Sequence, residues 1–243
     1  MIEGEKLGSF WGYTFAGVWQ EDDVNAPFVD ANGQTNGKTN GEVYKVKPGN
    51  SKYVDVNKDG VYNDADQGII GCGQPTFNWG WNNTFNYKNF DFSFFVVGFH
   101  GFDIYNATHQ MGYNLIKSQQ MAGVTPMREL LNRWTPTNTN TDIPGFVKGG
   151  TENKDFFSTR FVENGSFMKM KSITLGYTLP EATCRSLGIN NLRVYASVQN
   201  PFHITKYSGL DPEATMGSPL VQGVDWGAYP NSRNYLIGLN FSF

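Results

Sequence analysis

The sequence predicts an all-β protein: a segment of an antiparallel transmembrane β-barrel, about six long strands joined by long extracellular loops. Three observations predict it. Apolar and polar residues alternate over stretches longer than globular strands. The polar face of each stretch is Asn, Gly, Ser and Thr rather than charge. The connections alternate between short and long, as they do in membrane barrels.

In chain order, the first strand is expected over Trp11 to Trp19, with Trp11, Tyr13, Phe15 and Trp19 on one line. The second carries Phe77, Trp79, Trp81, Phe85 and Tyr87 against Asn78, Gly80, Asn82, Thr84 and Asn86. A short polar turn, Lys88-Asn89, leads to the third, Phe90 to His100, which sets Phe90, Phe92, Phe94 and Val96 on one face. In the fourth, Ile173, Leu175, Tyr177 and Leu179 alternate with Ser172, Thr174, Gly176 and Thr178. The fifth does the same with Leu192, Val194, Ala196 and Val198, and the sixth with Tyr235, Ile237, Leu239, Phe241 and Phe243. Each runs about 9 to 12 residues, the length a tilted strand needs to cross a bilayer, whereas globular strands average about 5 or 6.

Counting back from Phe243 at a periplasmic end, the two shorter connections fall in the periplasm. The three long ones, Trp19 to Thr76, His100 to Glu163 and Phe202 to Arg233, fall outside. A soluble β-sandwich is the rival, since its half-buried strands alternate in the same way. One stretch breaks the phase. In Phe167-Met168-Lys169-Met170-Lys171 the two lysines would face lipid, at about 2–4 kcal/mol each at mid-bilayer. Either the stretch lies above the membrane or a β-bulge resets the register.

Composition narrows the function classes. Lys plus Arg is 19 against 22 Asp plus Glu, a net charge of −3, which leaves no footprint for nucleic acid. The longest strongly apolar run is Phe94-Phe95-Val96-Val97, far short of a spanning helix. Aromatics at 15% argue against disorder. Cys72 and Cys184 have no metal or redox spacing and read as structural thiols. The start, MIEGEKLGSFWGYTF, lacks a signal-peptide pattern, so the chain is expected to be cytosolic or a piece of a longer one. The best helix signal is two turns over Met127 to Trp134, after Pro126.

The sharpest motif is Asp55 to Asp66, which follows the EF-hand calcium loop. Asp55, Asn57 and Asp59 take positions 1, 3 and 5, Gly60 the sharp bend at 6, and Val61 the backbone-carbonyl position 7. Asn63 fills position 9 and Asp66 position 12, where a shorter Asp replaces the bidentate Glu. Calcium wants six to eight oxygens, and alternate residues of a tight coil aim them inward. The expected cofactor is therefore a structural Ca2+ in an exterior loop. The competing reading is an Asn/Asp/Gly turn that binds nothing.

No GxSxG, Walker, HExxH or GxGxxG pattern occurs, and His100, His109 and His203 are scattered. The chain therefore reads as a non-enzyme. Trp134, Tyr207, Trp226 and Tyr229, on expected loops, are candidates for stacking on sugar rings, with packing at a barrel mouth as the alternative.

The whole chain resembles the C-terminal part of the SusC/RagA-type TonB-linked outer-membrane transporters (TonB-dependent receptors) of Bacteroidetes. The likeness lies in GSFWGYTFAGVWQ, in YVDVNKDGVYNDADQGIIG followed by QPTFNWGWNNTFNYKNFDFSFFVVGFHGFDIYN, in FVENGSFMKMKSITLGYTLP, in LRVYASVQNPFHITKYSGLDPE and in the ending YPNSRNYLIGLNFSF. FMKMKS and GCGQP depart modestly from the family pattern. The resemblance implies that residues 1–243 supply the last strands of an about 22-stranded barrel in the cell outer membrane, with 55–66 as a calcium loop inside an extracellular loop. It implies a SusD-type surface lipoprotein as partner, outer-membrane lipid around the wall, and a glycan or peptide as cargo. It also implies a TonB complex acting through a plug that has no counterpart here. Phe241 and Phe243 resemble the barrel-assembly signal. Six strands cannot close such a barrel, and a free edge in lipid leaves backbone groups unpaired. Two other readings stand beside this one: a soluble or surface-attached carbohydrate-binding β module with one calcium loop, and a secreted glycoside hydrolase fragment. The latter would need two carboxylates about 5–10 Å apart.

Overall fold

The computed structural model describes residues 3–113, 127–145, 156–186, 188–216 and 222–242. Its strands, in chain order, begin with β1 (Ser9–Tyr13), β2 (Phe15–Val18), β3 (Pro27–Val29), β4 (Thr35–Thr39), β5 (Ser51–Tyr53) and β6 (Gln67–Cys72). The long β7 (Phe77–Tyr87) and β8 (Phe90–His100) follow, then β9 (Asp103–Asn106), β10 (Val162–Asn164) and β11 (Phe167–Thr178). Last come β12 (Asn191–Gln199), β13 (His203–Thr205), β14 (Val224–Asp225) and β15 (Asn234–Ser242). Among the described residues no helix is long and apolar enough to cross a membrane. No disulfide links Cys72 and Cys184.

The chain forms two compact units. One comprises Met1–Cys72, Tyr105–Val162 and Val224–Gly227; the other comprises Gly73–Ile104, Glu163–Gly223 and Ala228–Phe243.

The second unit is a single antiparallel meander in the order β15-β12-β11-β8-β7, with β13 also pairing β11. The hairpin at Lys88-Asn89 turns through a positive φ of 52° at Lys88 and pairs all of β7 with all of β8, Phe77 opposite His100 and Tyr87 opposite Phe90. Because facing residues share a side, the register sorts the side chains. Phe85, Phe92, Leu175, Ala196 and Ile237 stand on one face; Thr84, Ser93, Thr174, Ser197 and Leu236 stand on the other. Thr174 and Ser197 join hydroxyls at 2.9 Å on that second face.

The phase conflict at Phe167–Lys171 is resolved by a bulge. Met170 faces Val96 but Ser172 faces Phe95, so Lys171 is the extra residue. Below it the parity flips, and Lys169 lies opposite Val97 on the polar face rather than the apolar one. The neighbouring strand breaks at the same level. Asn200, at φ 50°, ends β12, and β13 resumes the pairing with His203 opposite Lys169.

The first unit is built of three two-stranded sheets, β1-β6, β2-β5 and β3-β4, and of the pairing between β14 and the Tyr105–Asn106 end of β9. Its core gathers Phe10, Tyr105, Ala107 and Phe161, with Phe157 stacked on Tyr105 at 3.8 Å between ring centroids. Here the sequence expectation needs correcting. Trp11 to Trp19 is not a long wall strand. It splits into β1 and β2 at Thr14; the partner strand β6 carries an extra residue, Ile70, opposite β1, β2 is itself bulged at Ala16, and Gly17 takes a φ of 112°. Trp11 stays exposed while Tyr13 and Trp19 are buried, and Tyr13 stacks on Phe156. The sixth member of the large sheet is instead the short β13. Met127 to Trp134 is likewise not a two-turn helix; Arg128–Asn132 makes one short 3-10 turn.

Candidate metal loop and barrel wall

Asp55 to Asp66 folds as a closed coil. Gly60 N–H donates to Asp55 Oδ2 at 2.8 Å, and Gly60 sits at φ 83° with so little room that a Cβ there would lie 2.2 Å from Val43. The bend at position 6 thus requires glycine for both reasons. Asp66 clasps the two ends, accepting from Val56 N–H at 2.8 Å and Asn63 N–H at 3.0 Å. Asp59 is the hub. Its Oδ1 accepts from Val61 N–H at 2.8 Å, and its Oδ2 from the amides of Asn57 at 2.9 Å and Asn63 at 3.1 Å. The Asn63 amide also reaches the Val61 carbonyl at 3.2 Å. The hydrogen bond from Asn57, and then that from Val61, hold the Asp59 carboxyl below its usual range.

These contacts bring positions 3, 5, 7 and 9 of the motif onto one point, with position 1 beside them. A hard cation requires oxygens there; Asp59 and the Val61 carbonyl supply them, whereas the Asn57 and Asn63 amides point their N–H groups inward while their Oδ1 atoms accept from Asp59 and Ala65 N–H, so a cation would need both amides turned over. One observation favours a cation directly: Asp55 Oδ1 is buried with no hydrogen-bond partner among the described residues, a costly state for a carboxylate oxygen. Its other oxygen accepts from the Tyr44 hydroxyl at 2.8 Å. Burial, and then that bond, push the Tyr44 phenol well above its usual range; burial likewise pushes Tyr62 up to about 12. Tyr44 and Tyr62 stack at 5.2 Å behind the loop. Among the described residues no three His, Cys, Asp or Glu side chains form a metal cluster by themselves; the loop relies on asparagine amides and a carbonyl as well.

The four loop aromatics part company. Tyr207 is 5% exposed, packed with Phe102, Ile104 and Phe167, so it is a core residue and not a stacking platform. Trp134 is half-buried; its Nε1 donates to Gln20 at 2.9 Å and its ring covers Gly49 and Gly145. Trp226 and Tyr229 stand exposed, Tyr229 at 90%. Phe241 is exposed on the apolar face of the wall, and Phe243 lies outside the described residues.

The apolar face of the wall is uncovered from edge to edge: Trp81, Phe85, Phe90, Leu175, Val194, Ile237 (80% exposed) and Leu239 are all exposed. A contiguous apolar surface of this extent marks contact with lipid or another protein. The opposite face carries an ion pair that spans three strands. Arg193 on β12 reaches over Gly176 on β11 to Asp91 on β8. Together, an antiparallel meander of long strands, apolar on one face and largely polar on the other, defines a piece of an open membrane-barrel wall.

Comparison with known proteins gives the particular barrel. TonB-dependent receptor P3 of Formosa agariphila is 35% identical over 247 residues, covering 99% of this chain and 22% of that protein. TonB-dependent receptor SusC of Bacteroides thetaiotaomicron is 32% identical over 199 residues, covering 81% of this chain and 18% of that protein. The structure of the RagAB peptide transporter superposes on the whole chain with a TM-score of 0.69 at 22% identity, over 24% of its own chain. No protein-family model matches. The chain belongs with the TonB-dependent receptors, as a relative of a segment of them; it spans about a fifth of the length of the curated relatives it matches. These relatives are named as receptors and transporters, not as enzymes.

Proposed function

We propose that the chain forms part of the wall of a TonB-dependent importer in the bacterial outer membrane, which takes up glycans or other oligomeric nutrients with a SusD-type surface lipoprotein. The observation that carries this reading is the wall itself. Five strands of 11, 11, 12, 9 and 9 residues keep one apolar face open to the surroundings. In lipid that face is stabilised by burial, and in water it would be a liability. The polar face lines an aqueous lumen around a plug through which TonB acts. The edges of β7 and β15 continue into neighbouring strands, because unpaired edges are not tolerated in hydrocarbon. Calcium in the Asp55–Asp66 loop is structural, pinning an exterior segment. Binding drives capture and release, and no bond is broken.

Density-gradient fractionation of cells that make the protein tests this. Recovery with the outer membrane, co-purification with a surface lipoprotein, and loss of growth on one oligomeric nutrient after deletion, with growth on its monomer intact, are the expected results. A chain that stays soluble without detergent would instead favour a carbohydrate-binding module.

A further inference from the structure

The Asp55–Asp66 coil is seated on a segment that its motif does not include. The short helix Asn40–Tyr44 is fixed at its start by a capping box: the Thr39 hydroxyl accepts from Glu42 N–H at 3.3 Å, and the Glu42 carboxylate accepts from Thr39 N–H at 2.8 Å. The Asn40 side-chain amide donates to the Asp23 carbonyl at 2.9 Å, and its backbone N–H to the Ala26 carbonyl, also at 2.9 Å. The helix stops at Lys45, which takes a left-handed φ of 54°. Its last residue, Tyr44, is thereby delivered to the back of the coil. There its ring is boxed by Trp19 at 5.4 Å, Phe28 at 5.7 Å and Tyr62 at 5.2 Å between centroids.

The helix meets the coil at two motif positions. Val43 fills the space beside the bend at Gly60. The Tyr44 hydroxyl donates to Asp55 Oδ2 at 2.8 Å, and the same oxygen accepts from Gly60 N–H at 2.8 Å. The terminal torsion of an aspartate is broad and roughly two-fold, so a single donor is satisfied by either oxygen. Two donors from different segments, converging on one oxygen, remove that freedom. The carboxylate is then divided in its roles. Oδ2 is held from behind, and Oδ1 is buried with no partner among the described residues.

That division suits position 1 of a calcium loop, which supplies a carboxylate oxygen to the cation. A carboxylate that ligates a metal is itself oriented by an outer hydrogen bond. Unlike the Asn57 and Asn63 amides, Asp55 needs no turning to serve. We infer that Tyr44 is a positioning residue of the calcium loop: from eleven residues ahead of Asp55, its hydroxyl holds that carboxylate in its ligating orientation and sets the affinity of the site. The inference rests on the calcium reading.

The test uses the whole transporter, purified in detergent, stripped with EGTA and titrated calorimetrically with calcium chloride. Asp59→Ala marks the binding that belongs to this loop. Tyr44→Phe keeps the ring in its box and removes only the hydroxyl. It is expected to weaken the Asp59-dependent binding roughly ten- to a hundredfold, as loss of an outer-shell partner does. Glu42→Ala, which opens the capping box and keeps the hydroxyl, is expected to stay within about twofold of the parent. Coupling is mutual, so calcium should slow amide exchange over residues 40–46 in the parent and far less in Tyr44→Phe. A tyrosine that only packs would alter exchange equally with and without calcium. That result, or Asp59-dependent binding that Tyr44→Phe leaves unchanged or Glu42→Ala weakens as much, overturns the positioning role and leaves the calcium loop standing. No Asp59-dependent binding in the parent overturns the calcium reading and this inference together.

Discussion

Arg193 Nε donates to Asp91 Oδ1 at 2.8 Å across an intervening strand, through the gap left by Gly176. A Cβ at 176 would lie 2.4 Å from Asp91 Oδ1 and 2.5 Å from Arg193 Nη2. One glycine thus allows a salt bridge to tie β8 to β12 over β11. Both side chains are about a quarter exposed, 24% for Asp91 and 26% for Arg193, so screening limits the bridge. Gly176→Val should force the pair apart and cost about 1–3 kcal/mol, as overpacking does. Asp91→Ala combined with Arg193→Ala should cost less than the sum of the two single variants, with a coupling near 1 kcal/mol. Urea unfolding in detergent micelles measures all four, and strict additivity would show the bridge to be idle.

The two faces of the wall predict opposite responses to charge. Ile237 lies opposite Ala196 on the apolar face and Asn82 opposite Phe95 on the other; on the importer reading the first meets lipid and the second the lumen. Ile237→Arg should cost about 2–4 kcal/mol if it sits near mid-bilayer, and Asn82→Arg less than about 1 kcal/mol. The difference in unfolding midpoint in lipid vesicles decides the matter. Equal penalties would mean that the faces have been assigned wrongly.

Much of this wall was legible because its signals are local. The boundaries of β7 and β8 follow from uninterrupted alternation and a two-residue turn, and the conflict at Lys169 and Lys171 left a bulge as one of two readings. Trp11 to Trp19 misled because its period-2 aromatics look like a wall strand. Only pairing partners distant in sequence, Ser51–Tyr53 and Gln67–Cys72, reveal the break between β1 and β2. The closed coil of Asp55 to Asp66 was readable as an EF-hand-like pattern because its twelve positions are contiguous. That Tyr207 is core while Tyr229 is exposed was not readable, since the burial of Tyr207 is made by Phe102, Ile104 and Phe167, forty or more positions earlier. The glycine gap at 176 was equally hidden, since alternation records a small residue but not the pair crossing above it.

Lys169 fastens the segment after β13 to the wall, its Nζ donating to Asp211 Oδ2 at 2.9 Å and to Glu213 Oε2 at 2.7 Å, and this knot should titrate. Burial raises Asp211 and Glu213, but the hydrogen bonds from Lys169, with Asn231 for Asp211 and Lys171 for Glu213, outweigh it and leave both carboxyls below their ordinary 3.8 and 4.5. A folded value below the unfolded one means stability that is fully present above the unfolded value and lost as pH falls through the folded one. The segment should stay fastened at pH 5 and above and loosen well below pH 4. Near-ultraviolet circular dichroism of Tyr207 follows this. Asp211→Asn should weaken the knot already at pH 7 and flatten the acid transition; a transition of the same size in that variant would place the titrating groups elsewhere.

Calcium should act on the first unit alone. Asp59, hydrogen-bonded by Asn57 and Val61, sits below its ordinary 3.8, so the hub stays ionised and ready for a cation until the pH falls through that lowered value. A cation also relieves the orphaned Asp55 Oδ1. Calcium at ten times its Kd should then stabilise the loop by about 1.4 kcal/mol, by mass action. Chelation with EGTA should remove that gain, and Asp59→Ala should make the protein indifferent to calcium. Protection of Lys58 from trypsin is the direct readout: cleavage should slow on calcium addition in the parent and not in Asp59→Ala. Magnesium, which demands a stricter octahedron and sheds water reluctantly, should protect far less. Cleavage at Lys58 unaffected by calcium in the parent protein would mean that the coil is held by its own hydrogen bonds and Asp66 alone.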